Sequence, residues 1–190
     1  MNVLIIRHGI AQEREEFAKA HAGEDDGARP LTGRGRKRLR AAARGLCRVA
    51  PPVNLLASSP LVRAVQTADI LEACWGGAGG RRSVKRVVVA PLAPEQPVTA
   101  LLKWLQAQRP DATVALVGHE PQLGTFAGWM CTGLQESFLS LKKGGACLLR
   151  LKADVKPGRA TLVWSLAPRQ LRALGSRGDG GDGKIDLNTT

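Results

Sequence analysis

Three residues of the 190 are histidines, and two of them, His8 and His119, stand at equivalent positions. Each closes a short aliphatic run: "VLIIRHG" delivers Arg7-His8-Gly9, and "TVALVGHEP" delivers Gly118-His119-Glu120-Pro121. Another run, "VNLLASSP", delivers Ser58-Ser59-Pro60 and then Arg63. In open α/β sheets ligands gather beyond the carboxyl ends of the strands, where the following helices point unpaired N–H groups. Arg7, His8, Arg63 and His119 are therefore expected to converge although they are far apart in sequence. Two guanidinium groups and two imidazoles at such an edge suit an anion, and a doubly charged phosphoryl group fits their donors. The arginines would hold the oxygens of such an anion. They would also disfavour a proton on His8 and so lower its pKa.

Taken singly, each of the four has an ordinary structural reading: a solvated arginine in a first helical turn, a hydrogen-bonded histidine at a strand end. Their joint occurrence favours a site. His21, the third histidine, lies in an acid-rich stretch and is expected to be exposed and incidental. A metal site is disfavoured, since two arginines repel a cation and no carboxylate or cysteine shows ligand spacing.

The elements that must position these residues are legible from runs and punctuation. Strands are expected at Asn2 to Ile6, Val53 to Ala57, Arg86 to Ala90, Thr113 to Val117, Ala146 to Lys152 and Thr161 to Leu166. Between most of them lie helical stretches. One is capped by Thr32, and one by Ser59 with Pro60 at its first position; two more open at Pro97 and Pro121. Strands alternating with helices imply a mostly parallel sheet covered on both faces, an α/β three-layer sandwich. Lys156-Pro157-Gly158 between the last two strands predicts a C-terminal antiparallel hairpin. Glu13 to Arg29 reads as a loop fit to cover a site as a mobile flap. The domain is expected to span residues 1–172. Residues 173–190 are expected to form a disordered tail, most clearly from Gly175 onward, where apolar periodicity ends. Within that tail Gly178 to Lys184, "GDGGDGK", imitates a nucleotide-binding loop, but Ile185 replaces the required Ser or Thr and no strand precedes it.

The net charge of +12 attracts anions in general. Much of it lies between Arg29 and Arg48, where eight cationic residues occur without an acid. The sequence has no Tyr, three Phe and four Trp, with none interleaved in that basic run, so nucleic-acid binding is not favoured. Arg36, Arg40, Arg44 and Arg48 follow a four-residue step, which describes one solvated helix face and a docking face for an acidic partner. The four cysteines, Cys47, Cys74, Cys131 and Cys147, read as reduced, mostly core residues of a cytoplasmic protein. No apolar stretch approaches the roughly 20 residues of a membrane helix.

In this order, "LIIRHGIA", "LLASSPLVRAVQTADIL" and "VALVGHEP" resemble the histidine phosphatase superfamily, and more closely its SixA-type phosphohistidine phosphatases. "RPLTGRGRKRL" and "LAPEQP" fit the same branch. The resemblance implies the phosphoglycerate-mutase-like fold, with His8 as the nucleophile that becomes phosphorylated. It implies Arg7, Arg63 and His119 as the pocket around the phosphoryl oxygens, and no metal or organic cofactor. In the larger branch of that superfamily a glutamate after the third strand protonates the leaving oxygen. The corresponding stretch, "APLAPEQP", contains one acid, Glu95, which is either that proton donor or a helix-initiating carboxylate ahead of Pro97. A phosphohistidine substrate relaxes the need for an acid, because imidazole leaves more readily than an alkoxide. The expected activity is a phosphatase acting on protein phosphohistidine. Competing readings are a phosphatase or mutase for a small phosphorylated metabolite, and a basic phosphoprotein- or nucleic-acid-binding module without catalysis. Ile10-Ala11 and the short chain speak against the mutase.

Overall fold

Strand runs that are apolar at every position need cover on both faces, and the fold supplies it. The computed structural model describes residues 1–76, 84–152 and 154–176. The chain runs β1 (Asn2–Arg7), α1 (Arg14–Ala20), α2 (Gly33–Val49), β2 (Leu55–Ser58), α3 (Val62–Trp75) and β3 (Lys85–Val88). It continues with α4 (Val98–Gln106), β4 (Thr113–Gly118), α5 (Gln122–Thr132), β5 (Ala146–Leu151), β6 (Ala160–Leu166) and α6 (Pro168–Ser176). One six-stranded sheet has the order β3-β2-β4-β1-β5-β6. Its first four strands are parallel, and β5 and β6 are antiparallel additions, as the hairpin signal predicts.

Alternate side chains feed the two cores. Val3 and Ile5 of β1 and Val114 and Leu116 of β4 pack with Leu101, Leu105, Leu123 and Phe126 from α4 and α5. Leu4, Ile6, Ala115 and Val117 pack with Leu46, Ala68, Leu71 and Leu171 from α2, α3 and α6. These are the three layers expected.

Register carries the functional consequence. Arg7 lies opposite Gly118, and Ser58 opposite Val117. The ladder continues one step past the strands: the His8 N–H donates to the Gly118 carbonyl at 3.1 Å, and the Ser59 N–H to the Val117 carbonyl at 2.9 Å. His8, His119 and Ser59 therefore leave the sheet side by side.

Several expectations need correction. Thr32 does cap α2, accepting the Gly35 N–H at 2.8 Å, and α4 and α5 begin immediately after Pro97 and Pro121. Ser59, however, does not cap α3; Leu61 is the N-cap residue and the helix begins at Val62. The segment Glu13 to Arg29 is not a plain loop. It contains α1 and a 3-10 turn at Asp26–Ala28, anchored by buried Phe17 and by Arg29, whose Nη1 donates to the Gln12 carbonyl at 2.6 Å. The helix α6, amphipathic with Leu171 buried, has no counterpart among the expected elements, and it extends to Ser176, past the expected domain end at residue 172. It lies close against α2 through paired glycines: a Cβ on Gly45 would meet the Leu171 carbonyl oxygen, and one on Gly175 the Ala41 carbonyl oxygen. The rest of the expected tail, including Gly178 to Lys184, falls outside the described residues. Of the cysteines, which are all free, only Cys147 is fully buried; the other three are half-buried.

Candidate active site

His8 lies just past β1 and is 6% exposed. Its Nδ1 is 2.7 Å from the carbonyl oxygen of Gly9. A carbonyl can only accept, so Nδ1 carries the hydrogen and Nε2 keeps its lone pair. Burial pushes the ring's pKa down to about 3. The charges of Arg63, Arg7 and Lys143 add to that, while the Gly9 bond works against it. The sequence attributes this depression to the arginines; desolvation is the larger cause. The adjoining backbone is held as well: the Gly9 N–H donates to Thr67 Oγ1 at 3.0 Å, and that hydroxyl donates to the Arg63 carbonyl at 2.7 Å.

His119 follows β4 and is 4% exposed. Its ring centroid lies 5.0 Å from that of His8, with 51° between the planes. Its Nε2 is 2.9 Å from Ser59 Oγ, which also accepts the Leu61 N–H at 3.3 Å. Burial, then the neighbouring His8, Arg63 and Arg7, lowers its pKa to about 3. Both rings are thus neutral at physiological pH, side by side in a strongly cationic setting.

The two arginines are held from behind. Arg7 donates from Nη1 to the Leu141 carbonyl at 2.7 Å. Leu141 is itself tied down, since its N–H donates to Glu120 Oε1 at 2.8 Å. Arg63, 5% exposed, donates from Nη1 to the Asp26 carbonyl at 2.9 Å, and its Nη2 lies 3.1 Å from Asp26 Oδ2. The Nε atoms of both arginines are buried without a hydrogen-bond partner among the described residues. The charges of Arg7 and Arg63 both act on His8 and His119, and two guanidinium groups beside a pair of neutral imidazoles fit a shared oxyanion.

Glu95 is brought near the same place. It lines a cavity of about 410 Å³ that has His119, Pro121 and Gln122 on its wall. Its backbone is left-handed, at φ 68°, a strained conformation for a glutamate that tends to accompany functional sites. It does not cap α4, whose N-cap is Pro97 with no side-chain capping bond.

Sequence reading missed Asp26, Thr67, Glu120 and the role of Ser59. Asp26 is half-buried, and burial alone would raise its carboxyl pKa. The Arg29 hydrogen bond and the charges of Arg63, Arg29 and Arg14 outweigh burial and hold it below the usual carboxylate range. Its neighbour Asp25 does a purely local task, accepting the Gly27 N–H at 2.7 Å. His21 is exposed and stacks on Phe17, away from this cluster. Among the described residues no group of three or more His, Cys, Asp or Glu side chains is placed to hold a metal ion. No helix among them is long and apolar enough to cross a membrane.

Comparison with known proteins gives concordant matches. The family profile described as histidine phosphatase superfamily (branch 1) matches residues 3–78. An uncharacterized protein of Picosynechococcus sp. is 38% identical over 152 residues, 79% of this chain and 85% of that protein. The structure of the protein histidine phosphatase SixA complexed with tungstate superposes with a TM-score of 0.71 at 26% identity, covering 90% of this chain and 99% of SixA. The alpha-ribazole phosphatase from Shigella flexneri shares the fold, with a TM-score of 0.63 at 16% identity over 85% of this chain and 94% of its own.

Proposed function

Because the chain belongs to the histidine phosphatase superfamily and is a SixA-type histidine-nucleophile phosphatase, we propose that it removes phosphate from protein phosphohistidine by way of a phosphoryl group on His8. The observation that carries this reading is the His8–His119 pair at 5.0 Å, with the Nδ1 of His8 bound to a carbonyl and the charges of Arg7 and Arg63 acting on both rings. His8 Nε2 attacks phosphorus as the bond to the leaving nitrogen breaks, and a substrate imidazole already protonated at its other ring nitrogen departs neutral, without needing a further proton. Arg7, Arg63 and His119 hold the equatorial oxygens, where charge stabilisation is worth most in a water-poor pocket. Water then attacks phosphorus, the bond to Nε2 breaks, and neutral His8 is restored with orthophosphate released. Glu95 supplies the leaving-group proton when the leaving atom is an alkoxide oxygen, and is dispensable when it is imidazole.

Two observations support a protein substrate over a small metabolite. The 26% identical neighbour is a protein histidine phosphatase. Beside Gly9 a cleft of about 490 Å³ carries Arg38, Lys142, Lys143, Arg169 and Arg172 and no acid. It extends recognition beyond one phosphoryl group and suits an acidic protein surface around the modified histidine. The free thiols of Cys47, Cys74, Cys131 and Cys147 support action in a reducing compartment, the cytoplasm.

The test is incubation with a labelled phosphohistidine protein, and separately with p-nitrophenyl phosphate and small phosphomonoesters, in the presence of a chelator. The expected result is turnover of the phosphoprotein and an acid-labile, base-stable label on His8 that is missing in His8→Ala. Efficient turnover of a small phosphomonoester with none of the phosphoprotein overturns the substrate assignment. A label that persists in His8→Ala overturns the nucleophile.

A further inference from the structure

The site leaves a second pair of reactive side chains unused. Cys47 is near the end of α2 and Cys74 near the end of α3, 27 positions apart, and Cys47 Sγ donates to Cys74 Sγ at 2.7 Å. A disulfide bond is about 2.05 Å long, so neighbouring helices already hold these sulfurs within about 1 Å of bonding distance. We propose that Cys47 and Cys74 form a dithiol site that a hydroperoxide oxidises reversibly to a disulfide stapling α2 to α3.

Access and reactivity favour Cys74 as the first sulfur to react. It is half-buried and lines an open cleft of about 410 Å³ together with Arg36, Arg40 and Arg44, against one acid, Asp69, which is paired with Arg86. The hydrogen bond from Cys47, followed by the charge of Arg44, holds its thiol below the ordinary range despite burial. Cys47, as the donor, is pushed up, first by that same bond and then by burial. A thiolate in a cationic cleft is the form that reacts. Cys147, by contrast, is fully buried and its thiol is pushed up by desolvation.

The steps balance. The Cys74 thiolate attacks the outer oxygen of hydrogen peroxide; an S–O bond forms, the O–O bond breaks, and the departing hydroxide takes a proton to become water. Cys47 sulfur then attacks Cys74 sulfur. The S–S bond forms, the S–O bond breaks, and the leaving hydroxide combines with the Cys47 proton as a second water. Two thiols lose two electrons to one peroxide, and an external dithiol returns them.

Position indicates what the staple does. Cys74 is eleven residues beyond Arg63 on α3, about 16 Å along the helix axis, so the bond closes at the end of the helix remote from the candidate pocket. It restrains the packing of α2 on α3 while leaving turnover of p-nitrophenyl phosphate unchanged, and it raises resistance to unfolding by restricting the unfolded chain.

The experiment treats the full-length protein with hydrogen peroxide, counts free thiols and maps peptides by mass spectrometry without reduction. The expected result is loss of two thiols out of the four, a mass loss of two hydrogens located on a Cys47–Cys74 cross-linked peptide, and full reversal by dithiothreitol. Cys47→Ser and Cys74→Ser should each lack the cross-link while keeping the wild-type circular dichroism. The oxidised protein should unfold at higher urea than the reduced one. Retention of all four thiols, a cross-link between other cysteines, or irreversible sulfonate on Cys74 in place of the bond overturns the proposal. If a serine variant fails to fold, the wild-type peptide map decides the matter.

Discussion

Asp26 grips both terminal nitrogens of Arg63, one through its backbone carbonyl and one through its carboxylate, and leaves Nε to face elsewhere. The guanidinium is thereby oriented before any anion arrives, by a residue in the 3-10 turn of the connecting segment. Asp26→Ala is expected to lower kcat by about tenfold to a hundredfold through misplacement, a smaller loss than the ~10² to 10³ expected for Arg63→Gln or His119→Gln. Steady-state kinetics on a phosphohistidine protein test this ranking, and an Asp26→Ala enzyme with unaltered kcat would refute it.

The depressed histidines set a pH signature. His8 must be neutral to attack, and with its pKa near 3 its reactivity should not fall as pH drops through 6.5. Between pH 7.5 and 5, kcat/KM corrected for substrate ionisation is therefore expected to stay level; a fall centred near 6.5 contradicts the assignment.

Stability behaves differently. In the unfolded chain the two rings titrate near 6.5, and in the folded one near 3. Above pH 6.5 neither state binds the extra protons, and the native state has its full advantage. As pH falls from 6.5 toward 3 the unfolded state takes up protons that the native state refuses, so stability declines. Asp26, held low, adds a further loss below its unfolded pKa of about 3.9. The urea midpoint should drop between pH 7 and 4.5, and less steeply in His119→Gln.

Thr67 is a positioning residue for the nucleophile. Its hydroxyl joins the Gly9 N–H to the Arg63 carbonyl, so Thr67→Val leaves a buried donor unpaired at a cost of about 1–3 kcal/mol. Lower stability together with lower kcat and nearly unchanged KM is expected, and Thr67→Ser should restore kcat. Failure of serine to rescue points to methyl packing instead.

The cationic cleft beside Gly9 can be separated from chemistry. Arg169→Glu with Arg172→Glu should raise KM for a phosphohistidine protein by about tenfold or more, steeply so at low salt. Activity on p-nitrophenyl phosphate should be retained. Equal effects on both substrates would place the cleft's influence inside the pocket.

The strand ends were readable in sequence because the runs of β1, β2 and β4 are mostly apolar and break off at Arg7-His8, Ser58-Ser59 and Gly118-His119. This is why Arg7, His8, Arg63 and His119 could be placed together from local signals. What stayed hidden depends on tertiary partners. Asp25 and Asp26 are indistinguishable as letters, yet one caps its own turn and the other reaches Arg63. Ser59 matches a helix cap, but the neighbouring strand presents His119 to its hydroxyl. The last helix is short but amphipathic, a pattern easily passed over directly after a strand, and it docks through Gly45 and Gly175, a fit that only the folded helix pair reveals.

The sheet order places β4 between β1 and β2, although it is made long after both. A ribosome-bound chain that ends before Thr113 has its first two parallel strands but not the one that separates them, and no His119. Such a fragment is inert, whatever helices it has already formed. The four site residues are therefore all present only once β4 and its following turn have been made, and the central strand must pair with two strands distant in sequence, a kind of non-local pairing that is slow to form.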